Sequence, residues 1–168
     1  MKKTFDVGAV PVPVSALRRS MMLGLLLAPL VAVAQTPKVG VKPVVRVWKS
    51  AACGCCGDWI AHLRQNGFDV VAGNVDDLAA ARRSVRMPDR YASCHTALVD
   101  GYALEGHVPA SDVSRLLRER PKAIGLAVPG MPVGSPGMDG PAYGGRKDRY
   151  DVVLVGIDGN GRVFHAYG

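Results

Sequence analysis

Apolar and polar positions change period several times along the chain, and each change marks an element. "VVRVW", Val44 to Trp48, is apolar and β-branched, which predicts a short strand. From Cys53 to Asn66 the period turns helical. Ile60 and Leu63 fall on one face there, and Asn66-Gly67 is the stop signal. "FDVVAGNV" predicts a second strand, and Asp76-Asp77 opens a second helix through "LAAARRSV". "HTALVDGYALEGHV" alternates on either side of Asp100-Gly101, the pattern of a β-hairpin. Ser111 to Arg120 predicts a third helix, apolar at Val113, Leu116 and Leu117 and ended by Pro121. "AVPGMPVGSPGMDGPAYGG" has no period and reads as a long Pro/Gly loop holding Met131 and Met138. "YDVVLVGIDGNGRVFHAYG" alternates again and predicts a closing hairpin.

The resulting order, β-α-β-α-β-β-α, is that of the thioredoxin fold. The expected fold class is therefore α/β: a thioredoxin-like core with a C-terminal Pro/Gly/Met loop and an extra β-hairpin. The early β-α-β unit implies a central sheet with helices on both faces.

The N-terminus changes the picture of the working chain. Lys2, Lys3, Arg18 and Arg19 precede the apolar run "MMLGLLLAPLVAVA", and Ala32-Val33-Ala34 fits a small-x-small cleavage pattern. The run is too short to span a bilayer and contains Pro29. Residues 1–34 thus read as an export signal peptide, residues 35–43 as a linker and residues 44–168 as one domain, with no stable membrane span after cleavage. Cleavage would lower the formal net charge from +7 to +4, since four basic residues and Asp6 leave together. The remaining arginines are scattered and no basic stripe interleaves with aromatics, which argues against nucleic acid as a partner.

An exported chain meets an oxidising compartment, where cysteines usually staple distant segments. Here Cys53, Cys55 and Cys56 share one helical turn, and of the four cysteines only Cys94 lies elsewhere. Such spacing closes almost no loop, so these thiols point to chemistry rather than architecture. Cys53-Gly-Cys-Cys56 holds a C-x-x-C that follows a strand and opens a helix, a position that favours thiolate over thiol. A thiolate is both nucleophile and metal ligand, and two functions compete for it. A thiol–disulfide oxidoreductase would use Cys53 and Cys56, but Cys55 is surplus to that scheme. A soft ion gains from every added thiolate, and Cu(I) favours thiolate and thioether with imidazole as an acceptable partner. Three sulfurs in one turn can also bridge several Cu(I) ions.

Ser93-Cys94-His95-Thr96 lies just before the third expected strand. In the thioredoxin order that loop faces the start of the first helix and brings Cys94 and His95 towards the three cysteines. Cys94 as a buried small hydrophobe and His95 as a backbone-bonded loop histidine are the competing structural readings. His107, Met131 and Met138 are further loop donors, each with a packing or hydrogen-bonding alternative. His62, on the helix away from its mouth, reads as a surface residue, His165 as structural and Met87 as packing. A structural zinc site is disfavoured because Cys55 and Cys56 are adjacent, and an iron–sulfur cluster because the spacings differ from the usual runs.

"CGCCGDWIAHL", "SCHTALVDGYALEGHVPASDVSRLL" and "GLAVPGMPVGSPGM" together resemble a family of small periplasmic proteins long described as a domain of unknown function. That family includes the CopG-type copper-resistance proteins. The resemblance runs from about Val44 to the C-terminus. It implies a thioredoxin-like fold, periplasmic location, copper binding and a role in copper tolerance; copper ions and other periplasmic copper-handling proteins are the expected partners. It also implies a cysteine-bridged multinuclear copper cluster in a protein that is primarily metal-binding, with a suggested redox role that would make it a copper oxidoreductase. Carried over by motif, Cys53, Cys55, Cys56 and Cys94 are the first ligands, and His95, His107, Met131 and Met138 are additions.

Overall fold

A computed structural model describes residues 41–168 of the chain. The expected export segment and most of the linker lie outside the described residues. Among those residues no helix is long and apolar enough to cross a membrane.

The architecture is mixed α/β: one seven-stranded sheet with three helices. Strand β1 (Val44–Lys49) leads through helix α1 (Gly54–Gln65) to β2 (Asp69–Asn74), which pairs parallel to β1. Helix α2 (Leu78–Ser84) follows, capped by Asp77, whose carboxylate accepts the Ala80 N–H at 2.8 Å. Then β3 (His95–Val99) and β4 (Tyr102–Glu105) form an antiparallel hairpin around Asp100-Gly101, and β3 also pairs antiparallel to β1. Helix α3 (Ala110–Glu119) ends at Arg120 in the left-handed conformation, just before Pro121. Strands β6 (Tyr150–Gly156) and β7 (Gly161–Tyr167) close the chain as an antiparallel pair.

One strand departs from the sequence-based expectation. Residues Ala123–Ala127 form β5, parallel to β4 and antiparallel to β6, where no element was expected. The strand is almost wholly buried, so it shows no polar alternation to betray its period. It joins the terminal hairpin to the rest, and the strand order is β2-β1-β3-β4-β5-β6-β7.

Alternation along the strands sorts the core into two layers. Trp59, Ile60 and Leu63 of α1 and Val113 and Leu116 of α3 pack with Val45, Val47, Val99, Leu104 and Leu126. The neighbours of opposite parity, Ala103 and Ala127, instead pack with Met87, Ile124 and Val155. Helices α1 and α3 thus cover one face, and the segment after α2 covers the other. Met87 is a packing residue, as its sequence context suggested.

Candidate metal centre

Strand register gathers the site at one end of the sheet. Lys49, the last residue of β1, pairs with His95, the first of β3. Thr96 pairs with Glu105, and Glu105 with Ala127, so β4 and β5 end at the same level. The segments flanking these strand ends therefore converge. They carry the mouth of α1 with Cys53, Cys55 and Cys56, the approach to β3 with Cys94 and His95, and the exit from β4 with His107. The metal-binding atoms of Cys53, Cys55, Cys56 and Cys94 all lie within 4.8 Å of one another. Those of Cys94, His95 and His107 form a second set within the same 4.8 Å, joined to the first through Cys94.

Cys53 and Cys56 are joined in a disulfide, while Cys55 and Cys94 are free thiols. Cys55 Sγ lies 3.6 Å from Cys53 Sγ, and Cys56 Sγ lies 3.6 Å from the Cys94 carbonyl oxygen. All four sulfurs become thiol donors only after reduction of that bond.

Cys94 Sγ sits between two imidazoles, 3.3 Å from His95 Nδ1 and 3.1 Å from His107 Nε2. His107 Nδ1 is 2.8 Å from the Pro136 carbonyl oxygen. A carbonyl only accepts, so Nδ1 carries the proton and Nε2 presents its lone pair to Cys94. His95 stacks on Trp59 with ring centroids 4.2 Å apart, and its Nε2 is buried without a hydrogen-bond partner among the described residues. Burial, then the neighbouring His107, depresses the His95 pKa to about 3, and burial also lowers that of His107. Both rings are neutral near neutral pH, the form that ligates metal. Burial, then the nearby Cys55, pushes the Cys94 thiol up to about 12, so without a cation it keeps its proton.

The Pro/Gly loop packs onto this cluster. Gly137 adopts φ +85°, and a Cβ there would stand 2.7 Å from the Trp59 amide nitrogen and 2.8 Å from the Cys55 carbonyl oxygen. The backbone of the loop thus lies directly on the first turns of α1, which only glycine permits. Pro136, one residue earlier, supplies the carbonyl that orients His107. The methionines are placed differently from each other. Met138 is buried and its sulfur accepts the Tyr143 hydroxyl at 3.1 Å. Met131 is 53% exposed and borders a cleft with Pro129, Asp148 and Tyr150.

The remaining histidines have structural partners. His62 is half-buried and its Nε2 accepts the Ala110 N–H at 3.1 Å, tying α1 to the start of α3, where a surface role was expected. His165 Nδ1 bonds the buried Asp112 carboxylate at 2.9 Å, and Tyr167 donates to the same carboxylate at 2.7 Å.

Three residues behind the site escape a reading of the sequence. The Trp59 indole donates to the Val108 carbonyl at 2.8 Å while its face supports His95. Glu105, fully buried, pairs with Arg82 at 3.0 Å and also accepts bonds from Ser93 and Thr96. The one signal for Glu105 was a carboxylate within an otherwise apolar strand. Burial raises its pKa, against the pull of the Thr96, Ser93 and Arg82 bonds.

Chemically, four sulfurs and two neutral imidazoles form a soft donor set without a carboxylate among the grouped atoms. Its own contacts, the Cys53–Cys56 disulfide and the approach of both imidazoles to Cys94, are ones a bound metal would replace, and His95 Nε2 is left as a buried nitrogen without a partner among the described residues.

A family model described as a protein of unknown function, DUF411, matches residues 91–138. No curated protein matches the chain. Two solved structures do, both of a copper resistance protein, CopG. Form 2 is 44% identical with a TM-score of 0.71, the match covering 76% of this chain and 100% of that one. Form 1 is 45% identical with a TM-score of 0.70, covering 76% and 98%. Identity at this level along the whole of a solved relative shows that the chain belongs to the CopG copper-resistance protein family.

Proposed function

We propose that this chain is a periplasmic copper-binding protein that holds Cu(I) on Cys53, Cys55, Cys56 and Cys94 and serves copper resistance. His95 and His107 are the nitrogen ligands beside Cys94; Met131 and Met138 are candidate thioether donors. The observation that carries the reading is the meeting of Cys94 and its two imidazoles with the sulfurs of the α1 turn. Four thiolates with so little space between them favour a soft monovalent ion and can share several of them, a multinuclear centre. The copper-resistance relatives support the choice of metal. Copper ions and other copper-handling proteins of the same compartment are the partners. Residues 1–34 act as the export signal, residues 35–43 as a linker and residues 44–168 as a thioredoxin-like domain. The β2-β1-β3-β4 order, with β1 and β2 parallel and β3 and β4 antiparallel, supports that fold name.

The Cys53–Cys56 disulfide adds a redox aspect. Its closure from two thiols releases two electrons and two protons, enough to take two Cu(II) to Cu(I). The same disulfide supports a second reading, a thiol–disulfide oxidoreductase that uses Cys53 and Cys56.

Anaerobic titration of the reduced protein with Cu(I), followed by metal analysis, tests the proposal. More than one copper per chain is expected. Cys55→Ser is expected to lower that capacity while far-ultraviolet circular dichroism stays unchanged. Unchanged capacity in this variant overturns the thiolate cluster. Rapid exchange with a model disulfide and weak copper uptake would establish the second reading instead.

A further inference from the structure

Behind the ligands lies a buried charge cluster that the proposed metal chemistry does not use. Glu105 Oε1 accepts the Ser93 N–H at 2.7 Å and the Arg82 Nε–H at 3.0 Å. Glu105 Oε2 accepts the Thr96 hydroxyl at 2.7 Å. Ser93 and Thr96 are the residues on either side of Cys94-His95. Arg82 also reaches the Ser93 carbonyl at 3.4 Å and the Asp89 carboxylate at 3.3 Å. Ser93 completes the network by donating its hydroxyl to the Gly130 carbonyl.

Such a buried ion pair adds little net stability, because desolvation offsets its Coulomb attraction. What it fixes is geometry. One carboxylate grips both flanks of a two-residue segment whose side chains supply a sulfur and an imidazole. The same residue lies two positions before His107, so its strand also sets the second imidazole. Gly106, between them, has φ +70°, and a Cβ there would stand 2.7 Å from Ser93 Cβ. The backbone directly after the carboxylate is therefore packed too tightly against Ser93 to drift.

We infer that Glu105, anchored by Arg82 and acting through Ser93 and Thr96, is a positioning residue that sets where Cys94 and His95 meet the cysteines of α1. This rests on the copper reading above and adds to it the group that pre-organises the distant half of the site. The carboxylate touches no ligand atom. It acts by holding the Cys94-His95 segment in one conformation before any ion arrives, so that no ordering of that loop opposes binding.

Thr96→Val tests this with the Arg82–Glu105 pair left in place, and Thr96→Ser is the conservative control because it keeps the hydroxyl. Glu105→Gln removes the charge in nearly the same volume. Each reduced variant is titrated without air against a chromophoric Cu(I) chelator, and its thiolate-to-copper ultraviolet absorption and thermal midpoint are recorded. The expected result for Thr96→Val and Glu105→Gln is at least tenfold weaker Cu(I) binding with an altered absorption band. Thr96→Ser should restore both. A purely structural role would lower the thermal midpoint and leave affinity and spectrum of the folded protein unchanged. Should Glu105→Gln fail to fold, the Thr96 pair decides alone. Cys94→Ser, run in parallel, separates the two levels of inference. If it loses affinity while Thr96→Val and Glu105→Gln bind like the parent, the positioning role is overturned and the copper site stands. If Cys94→Ser also binds like the parent, the ligand assignment fails and this inference fails with it.

Discussion

His95 folds at a cost in acid that its neighbours explain. The ring is fully buried against Trp59, beside a second imidazole and away from any carboxylate in the grouped donor set. Its folded pKa lies near 3, below the ordinary 6.5. The unfolded chain therefore takes up this proton first as pH falls. Stability from a neutral His95 is complete above pH 6.5 and is lost progressively as pH drops towards 3. Over pH 6.5 to 4 the expected loss is about 3 kcal/mol for the metal-free protein. Glu105 contributes with the opposite slope, because burial raises its pKa, so the total curve mixes both groups. His95→Gln isolates the histidine. Urea unfolding at a series of pH values should show a shallower acid slope in this variant than in the parent. Parallel slopes would mean that His95 is protonated in the folded state. Thiol and imidazole thus wait in complementary uncharged forms, Cys94 holding its proton and His107 offering a lone pair 3.1 Å away.

At the scale of elements, the segment between β5 and β6 is a packed part of the site and not a connector. Its contact with α1 depends on Gly137, whose positive φ and missing Cβ let the backbone rest on Trp59 and Cys55. Gly137→Ala is expected to lower stability by about 1–3 kcal/mol, from backbone strain plus the displaced contact. Gly140→Ala, where nothing lies within 4 Å and φ is negative, should stay within about 0.5 kcal/mol. Denaturant midpoints of the pair check this; equal midpoints would show that the loop is not seated on the helix. The loop also shows where sequence reading ends. The helical period of α1, the Asp100-Gly101 turn and the three clustered cysteines were legible because each is a local signal. Strand β5 was not, since "AIGLA" is a short apolar run buried by both neighbours, and such a run has no period. Arg82 and Arg83 look alike in "LAAARRSV", yet the Arg82 side chain is 8% exposed and that of Arg83 61%. Which of two adjacent arginines turns inward is settled by a carboxylate 23 residues away. The link from His107 to Pro136 likewise exists only once a loop 29 residues further on has returned to the site.

For the whole molecule, a copper centre held as proposed links metal binding and folding unequally through its two halves. Cys53, Cys55 and Cys56 stay close in sequence even in the unfolded chain, so they can bind copper there and reduce the stabilisation that binding gives the fold. Cys94, His95 and His107 join them only through the β1–β3 and β3–β4 registers. Stabilisation by copper therefore reads chiefly the long-range half. For the reduced protein at a hundredfold excess of Cu(I) over Kd, a ligand bound only by the folded state contributes about 2.7 kcal/mol. That corresponds to roughly 10 °C in thermal midpoint for a domain of this size. Two changes should shrink the rise by more than half: Cys94→Ser, which leaves the local trio intact, and closure of the Cys53–Cys56 disulfide, which removes two of four thiolates. Scanning calorimetry of reduced, oxidised and Cys94→Ser protein, each with and without Cu(I), measures all three. An undiminished rise in Cys94→Ser would mean that the α1 turn holds the metal by itself, and that the convergence of strand ends serves packing alone.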